Sequence, residues 1–192
     1  MIEYTTGKSK DIILTCLITI SGLFDLILTY IISFILNYIH LNDTFSVFCL
    51  LFLFLSVYYI FYHLFDKCFW NKKSILNHLN IYDLNGKWEG YTQTEEYGKK
   101  YVNVTIEQTW NEIDMNLKTN QSSSKLISFA FNKKPHDIIY TYQSEVNPNE
   151  KEINTHYGTC ILDINENNEI MTGSYFTDGQ RKTDGKIYLK RI

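Results

Sequence analysis

A two-helix transmembrane hairpin followed by an all-β, eight-stranded antiparallel up-and-down β-barrel is the architecture this sequence predicts. Three observations carry that expectation. Residues 12–65 form a stretch of 54 positions with only two charges, Asp25 and Asp43. One short polar segment, His40-Leu41-Asn42-Asp43-Thr44, divides that stretch into two apolar runs. From Gly86 onward the apolar residues recur every second position, between clusters of Gly, Pro, Asn and Asp.

The charge balance separates the two halves. Residues 1–70 carry 3 basic and 5 acidic side chains, and residues 71–192 carry 15 and 16, giving −3 for the chain of 192. This excludes a fully soluble protein, a disordered one, and a partner for DNA or RNA that works through a basic face. Three parts follow: a hairpin over 1–70, a linker over 71–85 and a barrel over 86–192.

The first apolar run, 12–39, would reach about 42 Å as a helix, beyond the roughly 30 Å of bilayer hydrocarbon. It is too long for the core of a cleaved signal peptide. The second, 45–65, suffices to cross once. Lys8 and Lys10 precede the first span, Lys67, Lys72 and Lys73 follow the second, and the loop between them has no Lys or Arg. The positive-inside rule therefore places both termini and the barrel in the cytoplasm, with Tyr38, His40, Phe69 and Trp70 at interfacial depths. Asp25 falls near the middle of the first span, where an ionised carboxylate is expensive. It is expected either to bond as a neutral acid to Ser21 or Thr29, or to make a polar contact that joins several copies or lines a wet path. Ser21-Gly22 offers a small-residue spot for close helix approach.

Residues 71–85 include a short amphipathic stretch in which Ser74 can cap a helix presenting Ile75, Leu76 and Leu79. Eight strands are then expected at 87–95, 100–109, 112–119, 122–131, 137–145, 153–164, 169–176 and 186–191. Pro135 and Pro148 both fall in the breaks, where a missing N–H costs no ladder bond. Eight short strands with short links suit an up-and-down barrel, about the smallest that holds one small ligand. Outward positions would carry Lys87, Glu89, Lys118, Asp163 and Lys190, so the barrel is not itself a membrane barrel. Gly86-x-Trp88 opens the first strand and Lys190-Arg191 close the last, a pairing that resembles the lipocalin-like barrels. That resemblance implies that Trp88 plugs one end and a basic side chain crosses its ring.

Cys16, Cys49, Cys68 and Cys160 form no C-x-x-C pair, which predicts free thiols and neither a zinc site nor a disulfide framework. His136 and His156 are too few for a metal centre. Nucleophile elbows, P-loops, H-E-x-x-H and dinucleotide-binding glycine motifs are missing from the sequence. The expectation is a binding protein without catalytic residues or cofactor. Candidate pocket residues are polar or aromatic groups at strand ends: Gln108, Trp110, Ser122, Ser123, Ser124, Tyr140, Tyr142, the segment His156-Tyr157-Gly158, Arg181 and Lys182. Aromatic faces stack on bases, hydroxyls bond phosphate or base edges, and Arg forks onto phosphate oxygens. A membrane-tethered, lipocalin-like carrier of a lipid or other apolar ligand is the alternative, and a scaffold barrel with a filled interior a third.

Taken whole, the chain resembles the two-transmembrane, β-strand-rich effectors of bacterial CBASS anti-phage systems, also described as cyclase-associated membrane effectors. The likeness rests on the order of parts and on the stretches LNGKWEGY, VTIEQTWNEIDMNLKTNQSSS, THYGTCILDI and MTGSYFTDGQRKTDGKIYLKR. The resemblance implies a barrel that binds a cyclic dinucleotide made by a partner nucleotidyltransferase, then a homo-oligomer whose spans disrupt the lipids of the inner membrane and kill the cell. It further implies that Trp110, Ser122, Ser124, Tyr142, His156 and Arg181 contact the ligand.

Overall fold

The computed structural model describes residues 1–4, 8–38, 43–79, 81–132, 136–146, 155–178 and 183–192. The chain divides into two compact units, residues 7–75 and residues 1–6 with 76–192.

In the first unit, helix α1 (Lys8–Tyr38) and helix α2 (Asp43–Leu64) pack on each other, and α2 runs on into a π-helical segment, Phe65–Phe69. Both helices are long and apolar enough to cross a membrane. The turn expected at His40–Thr44 lies mostly outside the described residues. Within α1 and α2 the hydroxyls of Thr15, Thr19, Ser33 and Ser56 donate to the carbonyls four residues back, at 2.6–2.8 Å. Polar side chains thus satisfy themselves inside the helix, as a lipid environment requires. Leu17, Ser21 and Val57 are buried, and Phe24 meets Phe61 edge-on at 5.5 Å. Leu26, Tyr30, Phe34, Phe48 and Phe52 stay exposed, so the helices are apolar on more than their packed faces. Ser21 takes up the small-residue role, whereas a Cβ at Gly22 would meet nothing within 4 Å.

The second unit is a closed barrel. A short helix α3 (Lys73–Leu79) leads into it and contains Ser74 rather than starting from it. The wall strands are β2 (Gly86–Thr94), β3 (Gly98–Gln108), β4 (Glu112–Lys118), β5 (Ser122–Phe131), β6 (Ile138–Val146), β7 (His156–Ile164), β8 (Ile170–Thr177) and β9 (Asp184–Arg191). Each pairs antiparallel with the next, and β9 returns to β2, so the eight predicted strands close as an up-and-down barrel. Their ends fall within three residues of those read from the period.

A ninth element was not predicted. Strand β1 (Ile2–Glu3), from before the hairpin, pairs with β4 through Ile2↔Ile113 and Glu3↔Glu112. It fills a seam. The β4–β5 ladder has only three pairs, Asn116–Lys118 with Lys125–Ser123, and β5 bulges between Leu126 and Ser128. Tyr4 then enters the core, donating its hydroxyl to the Thr109 carbonyl at 2.9 Å and meeting Phe129 and Phe131 edge-on.

Inward positions grade along the barrel axis. At one end Leu84, Trp88, Ile106, Ile113, Leu162, Met171 and Leu189 pack with essentially no exposure. Trp88 is the plug the sequence predicted: its indole N–H donates to the Leu84 carbonyl at 2.9 Å, and the Arg191 guanidinium lies 4.8 Å from the ring centroid. Arg191 also donates to the Asp83 carbonyl. Tyr82 donates to Asp137 at 2.9 Å, and burial, then that bond, push its phenol up to about 12. This is the capped end, and the segments that join the barrel to the hairpin both meet it.

Candidate functional site

At the opposite end the interior is not filled. Even-numbered residues of β3, odd-numbered residues of β4 and their counterparts around the wall surround a hollow with about 860 Å³ of atom-free space, open solvent at its mouth included. Its floor is Val102, Met115, Tyr140, Cys160 and Ile187. Burial pushes the Cys160 thiol up to about 12, and its position under the hollow is that of an inert small side chain.

Higher on the wall the lining becomes hydroxyl-rich: Thr92 and Thr94 on β2, Ser122 and Ser124 on β5, Ser144 on β6, Thr177 on β8, and Thr183 beside β9. Ser124 and Ser144 are direct cross-strand partners, and both are buried. Thr177 and Thr183 hydroxyls meet at 2.9 Å, as do those of Thr119 and Ser122 at 3.1 Å, so the rim is tied by side-chain bonds. Two tyrosines form plates in the wall. Tyr142 is the register partner of Gly158, and Tyr175 of Gly185. A Cβ at Gly158 would lie 2.4 Å from the Tyr142 ring, and one at Gly185 would lie 2.8 Å from Tyr175. The glycines give each ring room to lie against the neighbouring strand.

Lys100 brings a cation inward. It lines the hollow from β3, donates to the Gln121 side chain at 2.9 Å across the rim, and lies 5.3 Å from the Tyr97 ring centroid. His156 lines the same mouth from β7.

Of the residues singled out in the sequence, the fold brings together Ser122, Ser124, Tyr140, Tyr142 and His156, all on the hollow. Ser123 and Tyr157 point to the outer wall, because a strand sends successive side chains to opposite faces. Trp110 and Gln108 do not belong to this site. Both are buried at the capped end, Trp110 on the β3–β4 turn and Gln108 at the last position of β3. The alternation that marked them as inward was right, and the end of the strand was the wrong one. Arg181 and Lys182 lie outside the described residues. Lys100, Thr92, Ser144, Tyr175 and Thr183 were missed, although the phase set by Val102, Val104 and Ile106 already points Lys100 inward. His136 is on the outer wall, 3.1 Å from Asp163. Asp25 sits in α1 with one carboxylate oxygen buried and, among the described residues, without a hydrogen-bond partner, so it is not bonded to Ser21 or Thr29.

Two long apolar helices followed by a small closed barrel with a hydroxyl-and-aromatic hollow at one end define the class: a hairpin of membrane-spanning length joined to a hollow-ended barrel. The family follows from comparison. The family model described as Cap15, cyclic dinucleotide receptor domain, matches residues 79–191, and the chain belongs to that family. The chain is also 26% identical over 142 residues to the CD-NTase-associated protein 15 of Yersinia aleksiciae, covering 71% of this chain and 68% of that relative. The resemblance to two-span CBASS effectors read from the sequence therefore holds.

Proposed function

We propose that this chain is a membrane-anchored anti-phage effector that binds a cyclic dinucleotide in the open-end hollow, assembles into a homo-oligomer, and disrupts the inner membrane through its hairpin. The carrying observation is the polar, aromatic hollow in the domain whose family is named for cyclic dinucleotide reception. Tyr142 and Tyr175 supply faces for two bases. Lys100 and His156 face the phosphates, and Ser122, Ser124, Ser144, Thr177 and Thr183 offer hydroxyls to phosphate or base edges. The absence of Lys and Arg between the spans supports a cytoplasmic barrel, where a nucleotidyltransferase would deliver its product. One carboxylate oxygen of Asp25, buried and without a hydrogen-bond partner among the described residues, supports a contact between copies.

A scaffold barrel with a filled interior does not fit the hollow. A carrier of apolar ligands would leave the buried hydroxyls of Ser124 and Ser144 facing hydrocarbon, at a cost of roughly 1–3 kcal/mol for each unsatisfied group. The deciding experiment is calorimetric titration of the full chain in nanodiscs with cyclic di-AMP, cyclic di-GMP and cyclic UMP–AMP, and separately with a fluorescent fatty acid. Saturable binding of one nucleotide, lost in Tyr142→Ala, supports the reading. Binding of the fatty acid alone overturns it.

A further inference from the structure

Gln108 sits 6% exposed at the capped end, and five hydrogen bonds converge on it. Its side-chain oxygen accepts the Leu84 N–H at 2.8 Å. Its side-chain nitrogen donates to the Tyr82 carbonyl at 3.0 Å and to the Tyr4 hydroxyl at 3.4 Å. Its backbone N–H donates to the Asn85 side-chain oxygen at 2.6 Å, and its carbonyl accepts the Asn85 amide at 2.9 Å. Tyr4 ends the segment that runs on into α1, and Tyr82 to Asn85 is the segment that comes from α2 by way of α3. A single side chain therefore holds both chain segments that connect the barrel to the hairpin.

The same residue ends β3, and β3 is also a wall of the hollow. Lys100 and Val102 line the hollow, Val104 and Ile106 fill the core, and Gln108 closes the strand, all on the inward face. From Val102 to Gln108 is about 20 Å of continuous strand, paired on both sides from Asn103 to Ile106. We infer that Gln108 is the positioning residue that couples the hollow to the hairpin: it clamps both connecting segments to the one strand that also carries Lys100. The clamp works within the barrel unit and needs no ligand. Its use as a relay rests on the ligand reading proposed above. Occupancy that shifts β3 would then act on the two spans together rather than on one of them.

Hydrogen exchange on the full chain in vesicles of phosphatidylethanolamine and phosphatidylglycerol tests the clamp without ligand. Gln108→Met keeps the volume and removes all three side-chain bonds. Its expected effect is faster exchange, by roughly tenfold or more, at residues 1–4 and 81–85 together, with residues 139–144 at the open end unchanged. Leu162→Ala, a core truncation that removes no side-chain hydrogen bond to either segment, should leave both segments protected. If only one segment loosens, if neither does, or if Leu162→Ala loosens both, the inference is overturned. Should Gln108→Met fail to fold, Gln108→Glu, which keeps the acceptor for Leu84 and loses both donations, carries the same test with the same outcomes.

The relay is read in the same vesicles with whichever of cyclic di-AMP, cyclic di-GMP or cyclic UMP–AMP binds the unmodified chain. The relay predicts binding within about threefold of the parent and ligand-driven dye release lower by roughly tenfold or more, a usual size for coupling between sites. Release at the parent level overturns it. If the unmodified chain binds none of the three or releases no dye, the functional reading fails, while the exchange result still decides whether Gln108 is the clamp.

Discussion

Tyr142 occupies the space that a side chain at Gly158 would need. The two are direct partners across β6 and β7, and a Cβ on Gly158 would fall 2.4 Å from the ring. Gly158→Ala should therefore push the ring off the wall and into the hollow. Expected are a loss of about 1–3 kcal/mol in stability and a fall in nucleotide affinity. Gly173→Ala is the control, since its Cβ would meet the Ile161 carbonyl at 1.9 Å and no lining tyrosine. It should cost stability while leaving the affinity of the folded fraction intact. Calorimetry with parallel thermal melts reads both, and equal affinity losses in the two variants would remove the role given to the Tyr142 plate.

Lys100 should supply charge to the site. Lys100→Met is expected to weaken binding by about 1.5–3 kcal/mol, roughly ten- to a hundredfold, the usual worth of a hydrogen bond to a charged partner. It should also flatten the dependence of affinity on salt. An unchanged affinity and salt slope would mean that the anion is held elsewhere on the rim.

The Tyr82–Asp137 bond makes a prediction at high pH. An unfolded phenol ionises near 10.0, whereas burial and Asp137 hold Tyr82 protonated to about 12. Between these values the folded state keeps a proton that the unfolded state has released, so stability present below pH 10 is lost as pH rises toward 12. The melting temperature of the parent should fall across that window more steeply than that of Tyr82→Phe. Parallel curves would count against the assignment.

Asp25 is predicted to act after binding. Asp25→Leu should leave nucleotide affinity of the full chain unchanged. It should reduce ligand-triggered dye release by roughly three- to thirtyfold, the range of a polar contact between membrane helices. Asp25→Asn should retain part of the activity. Full release from Asp25→Leu would show the carboxyl to be idle.

Much of this was legible in the sequence, and β3 shows both why and where legibility stopped. Val102, Val104 and Ile106 fix a period of two, which makes every even position from Lys100 to Gln108 inward. Polar groups stand at both ends of that row. Period alone cannot say which end is filled, because that depends on Trp88, Leu84 and Tyr4 arriving from other parts of the chain. Read by period and residue type alone, Gln108 and Trp110 therefore count as pocket residues and Lys100 does not. The Gly86-x-Trp88 and Arg191 pairing was legible through its resemblance to lipocalin-like barrels, and the structure sets the two residues opposite each other on β2 and β9. Strand β1 was not, since two residues have no period and their partner is far along the chain.

That last separation has a consequence for how the molecule is made. Tyr4 and Thr109 are bonded although 105 positions apart, and the whole hairpin lies between them. A ribosome delivers the chain in order, so Ile2, Glu3 and Tyr4 emerge ahead of both helices and wait. Both long apolar helices are synthesised before Ile113 exists to pair with Ile2. The seam between β4 and β5 can be sealed only after the hairpin is complete. Biosynthesis thus runs in a fixed sequence, hairpin first and finished barrel second.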